Sequence, residues 1–342
     1  MSGEWTCSRH DGVERCPRLA HALMLAHRAL LLTSLLFVAW SKTVVEAFFS
    51  MSARFEAAHV SPCAVLGKRL DLLTFDLDDT IFPVGPVLEE ANEAMIYRLK
   101  TFGYTYASNY QIIAASKRIR SELHEAGETL TYTDLRKQSI RREIMRLTKL
   151  QNHQVDESVV EDVFNSWLST RHASADKNLF SDCVDALKAV REKHPDALIG
   201  AITNGRGNPL CMPSVKSFFD FCVSGEDDGV FPKRKPDKGI YEAALEIFFN
   251  LRGVSSDSFN WIHVGDDLAN DVGASAACGA KSIWLSAKDD ELASELPSWC
   301  TATKDELKRR SKLIDAAEVY VSAKISNLKE LESAIMQILT SV

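Results

Sequence analysis

The chain has 342 residues, 46% hydrophobic and 25% charged, an ordinary balance for a soluble globular protein with room for two domains and a sizeable core. A formal net charge of −7 argues against an extended nucleic-acid surface, because neutralising a phosphate backbone needs an excess of clustered Lys and Arg. Eight cysteines (Cys7, Cys16, Cys63, Cys183, Cys211, Cys222, Cys278 and Cys300) contain no C-x-x-C pair, so neither a zinc site nor a disulfide scaffold is expected, only free and mostly buried thiols.

Residues 1–69 read as an extension ahead of the fold. Ala29 to Trp40 is apolar except for Thr33 and Ser34, and His27 and Arg28 precede it. Such a run is too short to span a bilayer and suits the hydrophobic region of a signal peptide. Val45-Glu46-Ala47 offers a cleavage point. From Phe48 to Leu70 the chain is rich in Ala and Ser, carries Arg54, Lys68 and Arg69, and has the single acid Glu56. The succession resembles the two-part plastid presequences of algae with secondary plastids, which implies a plastid address. The alternatives are an amphipathic helix, or translation starting at Met51 and a cytoplasmic protein. A membrane anchor over residues 19–40 is disfavoured by His21, His27 and Arg28.

A parallel sheet covered by helices is expected from Leu70 onward, where strand-like runs alternate with helical patterns. Leu72 to Phe75 is an apolar strand that ends in Asp76-Leu77-Asp78-Asp79-Thr80. Alternation sends Asp76 and Asp78 the same way, and two neighbouring carboxylates repel unless a proton or a hard divalent cation intervenes. Helical spacing follows over Val87–Phe102, Tyr110–Glu125, Thr133–Leu150 and Glu157–Ala173, a four-helix unit placed to act as a lid. The expected division is 70–86 with 177–342 as core and 87–176 as helical cap. Next come a helix over Cys183–Lys193, a strand over Ala197–Ile202 ending in Thr203-Asn204-Gly205, and a short strand at Phe221-Cys222-Val223. Lys235-Pro236-Asp237 precedes a helix over Gly239–Phe249, and Trp261–Val264 is a strand ending in Gly265-Asp266-Asp267. Ala280–Leu285 and Glu318–Val321 are the later strands, and a closing helix covers Leu328–Leu339.

Parallel strands expose their carboxyl ends on one side, so Asp76, Asp78, Thr80, Thr203, Asn204, Lys235 and Asp266 are expected to converge. In this order the set resembles the haloacid dehalogenase-like hydrolase superfamily over residues 70–342: a D-x-D-x-T at Asp76–Thr80, a strand ending at Thr203, a lysine at Lys235, and a G-D-x-x-x-x-D at Gly265–Asp271. The resemblance implies a Rossmann-like α/β core with an inserted helical cap. It implies Asp76 as nucleophile, forming an aspartyl-phosphate, and Asp78 as acid and base. It also implies Mg²⁺ held by Asp76, the Asp78 carbonyl and Asp266, with Asp271, ahead of Asp267, orienting its waters. Thr203, Lys235 and the Asn204 and Gly205 amides would hold phosphate oxygens, with Thr80 beside them.

Dehalogenases of this superfamily lack the second carboxylate, since a halide needs no proton; Asp78 therefore favours phosphoryl chemistry on a small phosphorylated metabolite. The motif wording, with Ile262-His263-Val264 and Asn270-Asp271-Val272-Gly273, is similar to bacterial phosphatases of flavin mononucleotide and 5-amino-6-(5-phospho-D-ribitylamino)uracil, which implies riboflavin synthesis. Phosphoglycolate, a sugar phosphate or a nucleotide are alternative substrates, and a phosphomutase or a silent binding module are alternative roles. In the cap, Arg136 and Arg141 read as a solvated face or an anion contact, and Tyr132 and Trp167 as ring-stacking or core residues. His263 reads as structural. A monomer or homodimer is expected, with neither nucleic acid nor a stable membrane span. A fluorescent fusion deprived of residues 1–47 is expected to lose organelle import; unchanged localisation by microscopy would refute the address.

Overall fold

Leu72–Phe75, buried along its whole length, is the central strand β1 of a six-stranded sheet. The computed structural model describes residues 69–149, 151, 154–253, 258–286, 302 and 304–341, so the expected signal run, its cleavage point and most of the transit-like stretch lie outside the described residues. After β1 come four helices in succession: α1 (Val84–Thr101), α2 (Asn109–Ala126), α3 (Tyr132–Thr148) and α4 (Glu157–Lys177). Then α5 (Cys183–Lys193), β2 (Leu198–Thr203), β3 (Phe221–Ser224), α6 (Gly239–Arg252) and β4 (Trp261–Gly265) restore the alternation. A π-helical turn (Leu268–Gly273), β5 (Lys281–Leu285), α7 (Lys304–Ala317), β6 (Val321–Ile325) and α8 (Leu331–Thr340) complete the described chain.

The sheet order is β3-β2-β1-β4-β5-β6, and every pairing is parallel. Both faces are covered, which is why the strands read as continuous apolar runs. Leu73, Phe75, Ile199, Ala201, Ile262 and Val264 pack on one side. Leu72, Ile202, Trp261, Tyr241 and Phe248 pack on the other. The chain winds outward from β1 through β2 and β3, then crosses back to β4 on the opposite flank. That reversal lies between β1 and β4, the place where open α/β sheets leave a crevice at their carboxyl ends.

The four inserted helices have an apolar cluster of their own, built from Met95, Leu99, Ile112, Ile140, Ile144, Val160, Val163 and Trp167 among others. Local signals start and stop them. Thr131 caps α3 by accepting from the Asp134 amide at 2.9 Å, and Asp156 caps α4 at the Ser158 amide. Gly127, at φ 70°, ends α2 in the left-handed conformation that glycine adopts most easily. Three expectations need correction. Glu318–Tyr320 is a 3₁₀ turn, and the last strand starts only at Val321, where its residues pair with β5. The closing helix starts at Leu331 after a separate 3₁₀ turn. Of the described cysteines only Cys183 is buried; Cys211 is exposed and Cys222 and Cys278 are half-buried, all four as free thiols. Among the described residues no helix is long and apolar enough to cross a membrane.

Gly200 in β2 is packed closely by a ring of the neighbouring strand. A Cβ built there would lie 2.2 to 2.7 Å from ring carbons of the buried Phe221 on β3. Gly200→Ala is therefore expected to cost about 1–3 kcal/mol in urea denaturation, as overpacked cores do. Adding Phe221→Leu is expected to recover part of that loss; no recovery would place the cost elsewhere.

Candidate active site

The carboxyl ends of β1, β2 and β4 bring the expected groups together. Asp76 follows β1 directly, and its amide donates to the Val264 carbonyl of β4 at 2.9 Å. Asp79, at φ 58°, takes the left-handed conformation that Asp tolerates better than most residues. Its carboxylate then accepts from the Val84 amide at 2.8 Å, so one acidic loop turns the chain and starts α1.

Lys235 lies between two carboxylates. Its ammonium donates to Asp76 Oδ1 at 2.6 Å and to Asp271 Oδ1 at 2.7 Å, with its side chain 2% exposed. Asn204 fixes the lysine's backbone, accepting from its amide at 2.8 Å and donating to its carbonyl at 3.1 Å. The Asn204 side chain thus holds the lysine loop. Thr203 is buried, and its hydroxyl accepts from the Gly205 amide at 3.4 Å. Thr80 is also fully buried, and its hydroxyl faces Asp266 Oδ1 at 3.5 Å.

Asp271 is held from three sides. Beyond Lys235, its Oδ2 accepts from the Asp267 amide at 3.0 Å, and its Oδ1 lies 3.4 Å from His263 Nε2. It packs so closely on Gly265 that a Cβ there would meet the Asp271 side chain at 2.3 to 2.5 Å. The glycine of the G-D-D turn is thus a steric requirement of the carboxylate six residues later. His263 Nδ1 sits 2.8 Å from Thr74 Oγ1, which also accepts from Trp261 Nε1 at 2.8 Å. An ionised Asp271 can only accept, so a neutral His263 carries its proton on Nε2, facing Asp271, and Nδ1 accepts from the Thr74 hydroxyl. Asp267 turns instead to the backbone, capping Ala269 and Asn270, and pairs with Arg310.

Ligand atoms of Asp76, Asp266 and Asp271 all lie within 4.8 Å of one another. Burial pushes Asp76 well above the usual carboxylate range; Lys235 opposes the rise, and Asp271 and Asp78 add to it. Burial raises Asp266 as well, reinforced by the charges of Asp271 and Asp76. Burial acts against the Asp271 carboxylate too, but Lys235 and His263 outweigh it and hold it down at about 2. Three oxygen donors with an excess of negative charge are a donor set that suits a hard divalent cation.

Asp78 stands apart from that trio. Its two oxygens accept from Arg171 Nη2 at 2.7 and 3.1 Å. Arg171 is a site residue that the sequence reading missed. Its signal was present, since it falls at core spacing in α4, four residues after the buried Trp167. The cap expectations divide. Arg141 pairs with Glu157 at the surface, at 2.5 and 2.8 Å. Arg136, read equally as a solvated residue, is half-buried in the wall of a cleft of about 750 Å³, alongside Asp78, Tyr132, Trp167 and Arg171. Trp167 is also mostly buried, while Tyr132 stays 38% exposed.

Comparison with known proteins identifies the family and the fold. The sequence model of the family described as haloacid dehalogenase-like hydrolase matches residues 70–279. The 5-amino-6-(5-phospho-D-ribitylamino)uracil phosphatase YigB of Escherichia coli (strain K12) is 26% identical over 244 residues, covering 66% of this chain and 87% of that protein. Among solved structures, the 2-haloacid dehalogenase from Pseudomonas syringae pv. Tomato DC3000 superposes with a TM-score of 0.54 at 19% identity, over 78% of this chain and 98% of that one. At that identity the likeness speaks for the fold alone.

The raised pKa values of Asp76 and Asp266 carry a sign. In a chelator the native chain binds those protons more tightly than the unfolded chain, whose carboxylates titrate near ~4. Their contribution is therefore full at acid pH and lost as pH rises through the native values. Asp271 acts oppositely, and its contribution disappears only as pH falls through about 2. Asp266→Asn removes one repelling charge, so in EDTA at pH 8 it is expected to raise the melting temperature by roughly 2–4 °C. The same variant is expected to lose the stabilisation that added magnesium gives the parent. A melting temperature lowered in EDTA would refute the repulsion.

Proposed function

The chain belongs to the haloacid dehalogenase-like hydrolases, and from that premise we propose that it is a phosphomonoesterase using Asp76 as nucleophile. The observation that carries this reading is Asp78, two residues on, held at the cleft by Arg171. A departing halide takes no proton, whereas a departing alkoxide does, and Asp78 is placed to give one.

In the first step an Asp76 oxygen attacks phosphorus, the ester P–O bond breaks, and Asp78 protonates the leaving oxygen. In the second, water attacks the aspartyl-phosphate, Asp78 takes its proton, and the Asp76–P bond breaks to release phosphate. Lys235 supports both steps by orienting Asp76 and offering positive charge to the phosphoryl oxygens. The Gly205 amide and Thr203 hydroxyl, bonded to each other after β2, would hold phosphoryl oxygens beside it. Asp76, Asp266 and Asp271, with the Asp78 carbonyl, would hold Mg²⁺, which supplies charge neutralisation for the transferring group. Thr80, with its hydroxyl toward Asp266, serves that ligand rather than the substrate.

The preferred substrates are flavin mononucleotide or the ribitylaminouracil phosphate, on the motif wording and on the likeness to YigB. The cleft supports an ester of that size, since its volume falls within the ~300–1,000 Å³ of small-molecule sites and Tyr132 and Trp167 line it. Phosphoglycolate would leave it mostly empty. Residues 1–69 are proposed to carry the plastid address.

Phosphate release by the purified protein with magnesium is the test, on flavin mononucleotide, the ribitylaminouracil phosphate, phosphoglycolate, sugar phosphates and nucleotides. Asp76→Asn is expected to abolish turnover, and Asp78→Asn to lower kcat by roughly 10²–10⁴. Turnover that persists in Asp76→Asn would refute the mechanism; a best substrate outside the flavin pathway would refute only the substrate.

A further inference from the structure

Two guanidinium groups in the cleft, Arg136 of α3 and Arg234 of the loop before Lys235, differ from five arginines of the inserted helices. Arg98, Arg141, Arg142, Arg146 and Arg171 each bond to a carboxylate. Arg136 and Arg234 do not, and their partners among the described residues are neutral. Arg136, on α3, lies over the Trp167 ring at 4.0 Å and donates from Nη1 to Asn92 Oδ1 at 3.1 Å. The same Asn92 oxygen accepts from Trp167 Nε1 at 3.0 Å, so one buried amide fixes both members of the stack. Arg234, on the loop that leads into Lys235, lies over the Tyr132 ring at 4.3 Å, and its buried Nη1 has no hydrogen-bond partner.

Stacking occupies the face of a guanidinium and leaves its N–H edge, whose donors need acceptors. A buried donor without an acceptor is costly, and a buried cation without a counter-charge more so. Burial pushes Arg136 down to about 10, and Arg171 adds to this while Glu226 opposes it. Both stacks line one cleft: Arg136–Trp167 lies within the inserted helices, and Arg234–Tyr132 joins the core loop to the start of α3. Tyr132 also reaches the phosphate-side loop, since a Cβ at Gly205 would touch its ring at 4.0 Å. The leaving group of a phosphomonoester attacked by Asp76 therefore extends past Tyr132 toward two stacked guanidinium–ring pairs, one of which carries the unpartnered Arg234 Nη1.

We propose that the Arg136–Trp167 and Arg234–Tyr132 stacks form the leaving-group site, which selects phosphomonoesters carrying a planar ring with oxygen acceptors. The inference rests on the phosphatase reading and adds the residues that set its selectivity. A carboxylate on an open chain offers similar oxygens but no ring, so the test must separate the two.

Flavin mononucleotide and ribitol 5-phosphate share one ester and differ by the ring; 6-phosphogluconate and glucose 6-phosphate share one ester and differ by a remote carboxylate. The expected result is a kcat/KM for flavin mononucleotide at least about tenfold above ribitol 5-phosphate. Arg136→Met and Arg234→Met are each expected to shrink that ratio about tenfold, and Arg136→Lys is expected not to restore it because an ammonium has no planar face. Arg141→Met, altering an arginine outside the cleft, is expected to keep the ratio. Residual Asp76-dependent hydrolysis of ribitol 5-phosphate shows that a variant has folded; if Arg136→Met has not, Arg234→Met decides. Equal rates with and without the ring overturn the inference, as does a preference for 6-phosphogluconate over flavin mononucleotide. An equal loss on both esters in the two variants overturns it as well. Any of these leaves the phosphatase standing so long as turnover needs Asp76. Absence of Asp76-dependent release from every ester overturns the phosphatase reading and the inference with it.

Discussion

The buried ammonium of Lys235, shared between Asp76 and Asp271, is the contact on which the site depends. Each of the three groups alone would be an unpaired charge in a nearly dry place, and breaking such a buried pair costs about 3–5 kcal/mol. Burial would lower the lysine's pKa, yet the two carboxylates more than reverse it and keep the cation charged. With all three carboxylates ionised the arrangement is nonetheless two positive charges short, because one ammonium faces Asp76, Asp271 and the third carboxylate of the cluster, Asp266. That deficit raises Asp266 and Asp76 together, and it is the physical reason the cluster suits a divalent cation.

The sheet serves that contact. Asp76 leaves β1, Asp271 follows β4, and Lys235 arrives on a loop after β3, so only the parallel order β3-β2-β1-β4 brings them to one end. Behind them, the Trp261–Thr74–His263 chain fills the layer between sheet and α6, where a polar group must be satisfied or excluded. Burial keeps the His263 imidazole on the neutral side, against the pull of Asp271, so it acts as a donor of fixed direction. Tyr241 packs edge-on against it and bonds the Asn270 carbonyl at 2.5 Å, tying α6 to the turn that carries Asp271.

The inserted helices add a second electrostatic layer with a different logic. Surface pairs such as Arg142–Glu122 and Lys137–Glu161 lie on the outer faces, where they contribute little individually. Toward the core the pairing becomes selective. Arg171 takes Asp78, Arg206 and the Thr133 amide take Glu226, and His172 reaches the Arg206 carbonyl. These contacts hold helices and core together around the cleft while Arg136 and Arg234 stay stacked on Trp167 and Tyr132.

The sequence by itself determined the parallel α/β class, the four inserted helices and the loops that carry the candidate site, because those depend on local period and on polar residues at strand ends. Asp76, Thr203 and Asp266 were legible as polar residues at the ends of apolar runs, Lys235 as a lysine at a loop-to-helix junction, and Gly265 as a turn residue. Even so, the glycine's actual reason, the carboxylate of Asp271 pressed against it, belongs to the tertiary structure. Tertiary structure alone decided which arginines matter. Arg136 and Arg141 lie five residues apart on one helix with the same local signal, yet one stacks on Trp167 in the cleft and the other pairs with Glu157 at the surface. Glu226 became visible only when the loop after β3 met α3, and Arg171, although at core spacing in α4, gained its partner only when α4 met the loop after β1. Pairing, burial and stacking are long-range properties: a charged side chain's partner is set by where other segments fall, which no local pattern encodes.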